Sequence, residues 1–89
     1  MSGTVYIVDD DQGVRTGLTQ ALGTHGYHAL TFPTADEFIA RYTPGGPACL
    51  VLDLVMPGTH GLQLLDRIDP DDPIRIIVLT GYADIPTAV

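Results

Sequence analysis

Three short, unbroken apolar runs constrain this chain more than any other feature: "TVYIV" (4–8), "ACLVL" (48–52) and "IIVLT" (76–80). Each is continuous rather than alternating, the pattern of strands whose two faces are both covered in a parallel sheet. "YHALTF" (27–32) interleaves polar residues and suits an edge.

Helical patterns fill the intervals. Val14, Leu18, Ala21 and Leu22 share one face of a helix that stops between Gly23 and Gly26. Thr34 caps a short helix with Glu37 three residues later, a capping box, followed by Phe38, Ile39 and Tyr42. Leu62, Leu65 and Ile68 stripe a third helix, ended by "DPDDP" (69–73). Asp84 caps the start of a fourth, with Pro86 in its first turn. The order βαβαβαβ means one α/β domain over residues 1–89, with a parallel sheet and right-handed crossovers. "TPGGP" (43–47) is a loop within it.

Such strands leave their polar residues at their carboxyl ends, where open α/β sheets bind ligands. The first strand runs into Asp9, Asp10 and Asp11, the third into Asp53, and the fourth into Thr80 and Gly81. If those strands are neighbours, the groups meet in one shallow pocket. Clustered carboxylates repel unless one is protonated or a hard cation neutralises them. Mg²⁺ suits a few carboxylates and a carbonyl, because it binds oxygen and keeps several waters. An Asp there is also a nucleophile able to accept a phosphoryl group. Taken singly the residues are ordinary: Asp11 reads as a helix N-cap, Asp53 as a loop residue and Thr80 as a strand end.

The remaining polar residues carry less. The net charge is −7 and all four basic residues are arginines, so the chain lacks the basic stripe of a nucleic-acid binder. Cys49 is alone in an apolar run, which excludes an intrachain disulfide and suits a core position in a reducing cytosol. His25, His28 and His60 lack ligand spacing and read as surface residues. No apolar run approaches membrane-spanning length and the start is unlike a signal peptide, so a cytoplasmic chain with no membrane partner is expected.

"VDDD" after the first strand, "DLVMPGTHG" after the third and "LTG" after the fourth together resemble the receiver domain of two-component response regulators. The resemblance runs from Thr4 to Val89. It implies a flavodoxin-like, doubly wound sheet of order 2-1-3-4-5, with Asp53 as the phosphoacceptor for a sensor histidine kinase. It also implies Mg²⁺ on Asp10, Asp53 and the Val55 carbonyl, with Asp9 a ligand through water. Thr80 and Gly81 resemble the phosphoryl-contact and switch positions, Asp11 supports the acidic pocket, and Pro57 and Gly61 shape the loop after Asp53. "TGYADIPTAV" is similar to receivers joined to helix-turn-helix transcription factors, so the output is expected to be transcriptional.

The family's fifth strand, with its lysine and switching aromatic, its fifth helix and most of its fourth have no counterpart in the 89 residues. The expectation is a partial receiver, impaired in phosphorylation, whose fourth strand pairs with another copy or exchanges elements with it. Two other readings compete. Asp9-x-Asp11 resembles the motif of haloacid-dehalogenase-like phosphatases, although Gln12 and Gly13 depart from it and lysine is missing. A phosphorylation-independent interaction module is the other.

Overall fold

The computed structural model describes residues 3–53 and 61–79, the side chains of Gly61 and Leu62 excepted. Val55, Pro57, His60, Thr80, Gly81 and the helix expected at Asp84 lie outside the described residues. The elements are β1 (Thr4–Val8), α1 (Gln12–Thr24), β2 (His28–Phe32), α2 (Ala35–Arg41), β3 (Ala48–Asp53), α3 (Gly61–Asp66) and β4 (Arg75–Leu79). The four strands form one parallel sheet of order β2-β1-β3-β4. Its order matches the expected flavodoxin-like arrangement, and the more polar β2 lies at an edge.

Local chemistry sets the helix ends. The Asp11 carboxylate accepts from the N–H groups of Gly13 and Val14 at 2.7 and 3.2 Å, capping α1. At the other end Tyr27 N–H donates to Leu22 O and Gly26 N–H to Gly23 O, both at 3.1 Å. Those paired bonds are a Schellman closure, and they require the left-handed backbone that Gly26 adopts at φ 84°. The Thr34 hydroxyl accepts from Glu37 N–H at 3.1 Å, so the expected cap of α2 is present.

Parallel register sends Tyr6, Val8, Phe32, Leu50 and Leu52 to one face of the sheet. The buried side chains Val8, Phe32, Leu50 and Leu52 there pack with Ala35 and Phe38 of α2, Leu64 of α3 and Ile74. Phe38, fully buried, meets the Tyr6 and Phe32 rings edge-on at 5.3 and 5.6 Å and stacks on Tyr42 at 4.9 Å. The Tyr42 hydroxyl donates to Asp72, tying the end of α2 to the turn before β4. Val5 and Ile7, also buried, point to the opposite face, where α1 lies beside β2.

Three expectations are corrected. The third helix was expected to turn Leu62, Leu65 and Ile68 inward; Leu65 and Ile68 do pack half-buried against the core, but Leu64, outside that stripe, is fully buried there. α3 has only six residues, and its chain turns at Arg67 and Ile68 through bonds to Leu64 O and Leu65 O. Packing of α3 on α2, within the same core cluster, is what takes Leu64 inside. On α1, Leu18 and Leu22 are half-buried while Val14 and Ala21 are exposed, so the predicted apolar face is only partly covered. Cys49 is half-buried at the margin of the sheet rather than in the core, and desolvation pushes its thiol above its ordinary value.

Candidate metal centre

The carboxylates meet because of how the sheet is wound. β1 is flanked by β2 on one side and β3 on the other, so the chain leaves β1 and β3 at the point where the strand order reverses. Val8 pairs with Leu52, which sets the residues following, Asp9 and Asp53, level at the carboxyl ends of adjacent strands. Carboxylate oxygens of Asp9, Asp10 and Asp53 all lie within 4.8 Å of one another. They open into a cavity of about 260 Å³ lined also by Asp11, Val14 and Leu79.

The three are not equivalent. Asp9 is buried, Asp53 half-buried and Asp10 exposed. Asp9 is held on three sides: its N–H donates to Phe32 O at 3.1 Å, its Oδ1 accepts from Asp11 N–H at 2.9 Å, and its carbonyl accepts from Arg15 Nη1 at 2.7 Å. Burial pushes its carboxyl above the ordinary value of 3.8; the Asp11 N–H opposes this, and Asp53, Asp10 and Asp11 add to it by repulsion. A site that holds a carboxylate against desolvation and three neighbours favours an added positive charge.

Asp11 lines the cavity rim, but its Oδ1 is committed to capping α1, and it is not in the three-carboxylate cluster. Asp11 was expected both to cap the helix and to support the acidic pocket, and it caps α1 while lining the cavity. Its influence is electrostatic, through Asp9. Val55, Thr80 and Gly81 are outside the described residues. Among those described, no histidine joins the cluster. Sequence reasoning missed Arg15, Val14 and Leu79. A signal for Arg15 existed: a cation in the opening turns of a helix sits against the dipole, and calls for a reason.

A doubly wound parallel sheet with an all-oxygen acidic cluster at its switch point defines an α/β domain of the flavodoxin-like class. The family model described as "Response regulator receiver domain" matches residues 5–89. The chain belongs to that family and is a receiver domain, a signalling module of two-component systems. It is similar to the transcriptional regulatory protein FixJ of Bradyrhizobium diazoefficiens, at 34% identity over 98% of this chain and 43% of that protein. Among solved structures it is similar to the response regulator TrrA of Thermotoga maritima in complex with Mg²⁺-BeF. That likeness has a TM-score of 0.79 at 27% identity and covers 98% of this chain and 76% of TrrA. A second structure, the histidine kinase ThkA in complex with TrrA, matches with a TM-score of 0.76 at 28% identity, covering 91% and 71%. The chain spans less than half the length of FixJ and the other curated relatives first matched.

Proposed function

We propose that Asp53 accepts a phosphoryl group from a sensor histidine kinase, with Mg²⁺ held at Asp10, Asp53 and the Val55 carbonyl and, through water, at Asp9. The observation that carries this reading is the convergence of three strand-end carboxylates within 4.8 Å. Carboxylates this close would meet one Mg²⁺, Asp10 and Asp53 directly and Asp9 through one of the waters that the ion keeps. The donor set, all hard oxygen, fits Mg²⁺ and not a thiolate- or imidazole-seeking metal.

When bound, Mg²⁺ supplies the positive charge that offsets the carboxylates and the phosphoryl oxygens. The residues do the rest. An Asp53 oxygen attacks phosphorus, forming the O–P bond as the P–N bond to the kinase imidazole breaks and its electron pair leaves with the nitrogen. Buried Asp9 would offer its carboxylate from the sheet side of the cluster, and exposed Asp10 would offer its own from the solvent side. Thr80 and Gly81 are assigned to contact and sense the phosphoryl group. The output is transcriptional, as FixJ's name suggests for its relatives, and the chain itself is not an enzyme. No helix among the described residues is long and apolar enough to cross a membrane, in line with the proposed cytoplasmic setting.

The phosphatase reading needs Asp11 as a second acid aimed into the site, and Asp11 is occupied by the helix cap. The 89 residues hold no lysine to meet the phosphoryl oxygens, so phosphorylation of these residues by themselves is expected to be slow, poorly retained or undetectable. Losing such a donor costs on the order of 100-fold or more in rate. The test is incubation with acetyl phosphate and Mg²⁺, read by intact mass. A Mg²⁺-dependent phosphoryl adduct that disappears in Asp53→Asn is expected; an adduct that persists in that variant refutes the assignment.

A further inference from the structure

We propose that Arg15 is a positioning residue of the acidic site, fixing the Asp9–Asp10 peptide so that the Asp10 carboxylate faces Asp53. Its guanidinium reaches back from α1 and donates through Nη1 to the Asp9 carbonyl at 2.7 Å. That carbonyl belongs to the peptide joining Asp9 to Asp10, and the orientation of this peptide decides where the Asp10 side chain leaves the backbone. Asp9 is already tied to β2 through its N–H and to Asp11 through its Oδ1. The Arg15 bond adds a third restraint, on the peptide itself.

The helix is in turn anchored to the same turn. Asp11 caps it, Arg15 N–H donates to Asp11 O at 3.1 Å, and the Thr19 hydroxyl donates to Arg15 O at 2.7 Å. Arg15 thus joins the start of α1 and the end of β1 into one closed unit. The other three arginines have no such place: Arg67 pairs with Asp36, Arg41 ends α2, and Arg75 begins β4 at the opposite end of the sheet. A charged donor to a carbonyl is among the stronger neutral-acceptor bonds, and partners that orient metal ligands commonly change metal affinity about 10- to 100-fold.

The inference rests on the reading of Asp9, Asp10 and Asp53 as a Mg²⁺ site, and charge makes it separable from a general effect. Arg15 is a cation beside a cation site. Were its role only electrostatic, removing it would tighten Mg²⁺ binding; a positioning role predicts the opposite sign.

The experiment titrates the 89-residue chain with MgCl₂ at constant ionic strength, following amide resonances, for the unsubstituted chain, Arg15→Met and Arg15→Lys. Methionine keeps the aliphatic stem and the helix propensity but no donor. The expected result is Mg²⁺ affinity about tenfold weaker in Arg15→Met and within about threefold of the original in Arg15→Lys, which keeps a charged donor. Affinity in Arg15→Met equal to or tighter than the original overturns the proposal, as does a lysine variant as weak as the methionine one. If the unsubstituted chain binds no Mg²⁺, the metal-site reading itself fails, and this inference with it. Should Arg15→Met melt below the assay temperature, the comparison is made for all three chains in trimethylamine oxide, which restores compact states.

Discussion

Replacing Asp10 by Asn separates the cost of the acidic cluster from its use. With carboxylate oxygens of Asp9, Asp10 and Asp53 within 4.8 Å, each pair of charges repels by about 0.9 kcal/mol in a water-like dielectric. The same spacing gives about 3.5 kcal/mol at an effective dielectric of 20. Asp10 is exposed, so the lower figure governs its two pairs, and removing its charge relieves roughly 1–2 kcal/mol in the metal-free chain. For a domain of this size that is a rise of about 4–15 °C in melting temperature. Mg²⁺ at 100 times its Kd stabilises the original chain by about 2.7 kcal/mol through mass action, and Asp10→Asn abolishes most of that gain. The assay is thermal unfolding by circular dichroism, with and without Mg²⁺ at matched ionic strength, on both chains. The two curves should cross over: the variant more stable without metal, the original gaining more with it. An original chain whose melting temperature ignores Mg²⁺, or a metal-free Asp10→Asn less stable than the original, refutes the reasoning.

Other outcomes follow from the same structure. Asp9's carboxyl is raised in the metal-free fold, so just above pH 3.8 the folded chain holds a proton the unfolded chain has released. Acidifying into that window stabilises the metal-free fold through this group, while Mg²⁺, which needs the carboxylate, binds more weakly; melting curves across pH 4–7 should show the Mg²⁺ increment shrinking as pH falls. Tyr42 is raised above its ordinary value of 10.0, first by burial and then by its bond to Asp72. Above that pH the unfolded chain loses a proton the folded chain keeps, so this contribution to stability declines in alkali, and Tyr42→Phe should flatten the decline in denaturant titrations. Phe38→Ala empties a site of zero exposure surrounded by three rings and should cost about 3–5 kcal/mol in urea unfolding. β4 exposes Ile76, Ile77 and Val78 at 39%, 52% and 39%, and no described strand pairs with its outer edge. We expect concentration-dependent association of the 89-residue chain in sedimentation equilibrium, reduced by Ile77→Lys; a monomer at all concentrations contradicts the reading of that edge.

Much of this protein is written locally. Continuous apolar runs demanded strands, and those runs became β1, β3 and β4 in one parallel sheet, although only β1 and β3 are flanked on both edges by described strands and β4 is largely exposed. Asp11 and Thr34 cap their helices because a short side-chain acceptor reaches the first free N–H groups whatever the surroundings. Gly26 closes α1 because few other residues accept its backbone angles. The acidic residues were legible as a cluster in waiting, since a parallel sheet brings the ends of neighbouring strands together. Tertiary structure decided how they differ. Only the packed fold buries Asp9 and leaves Asp10 exposed, because burial and hydrogen-bond partners come from β2, β3 and α1 together. It also placed Leu64 in the core, which the stripe had not marked, and moved Cys49 from the core to its margin. Arg15 shows the limit most clearly: its spacing from Asp9 is visible in the chain, but the bond exists only because α1 folds back over the end of β1.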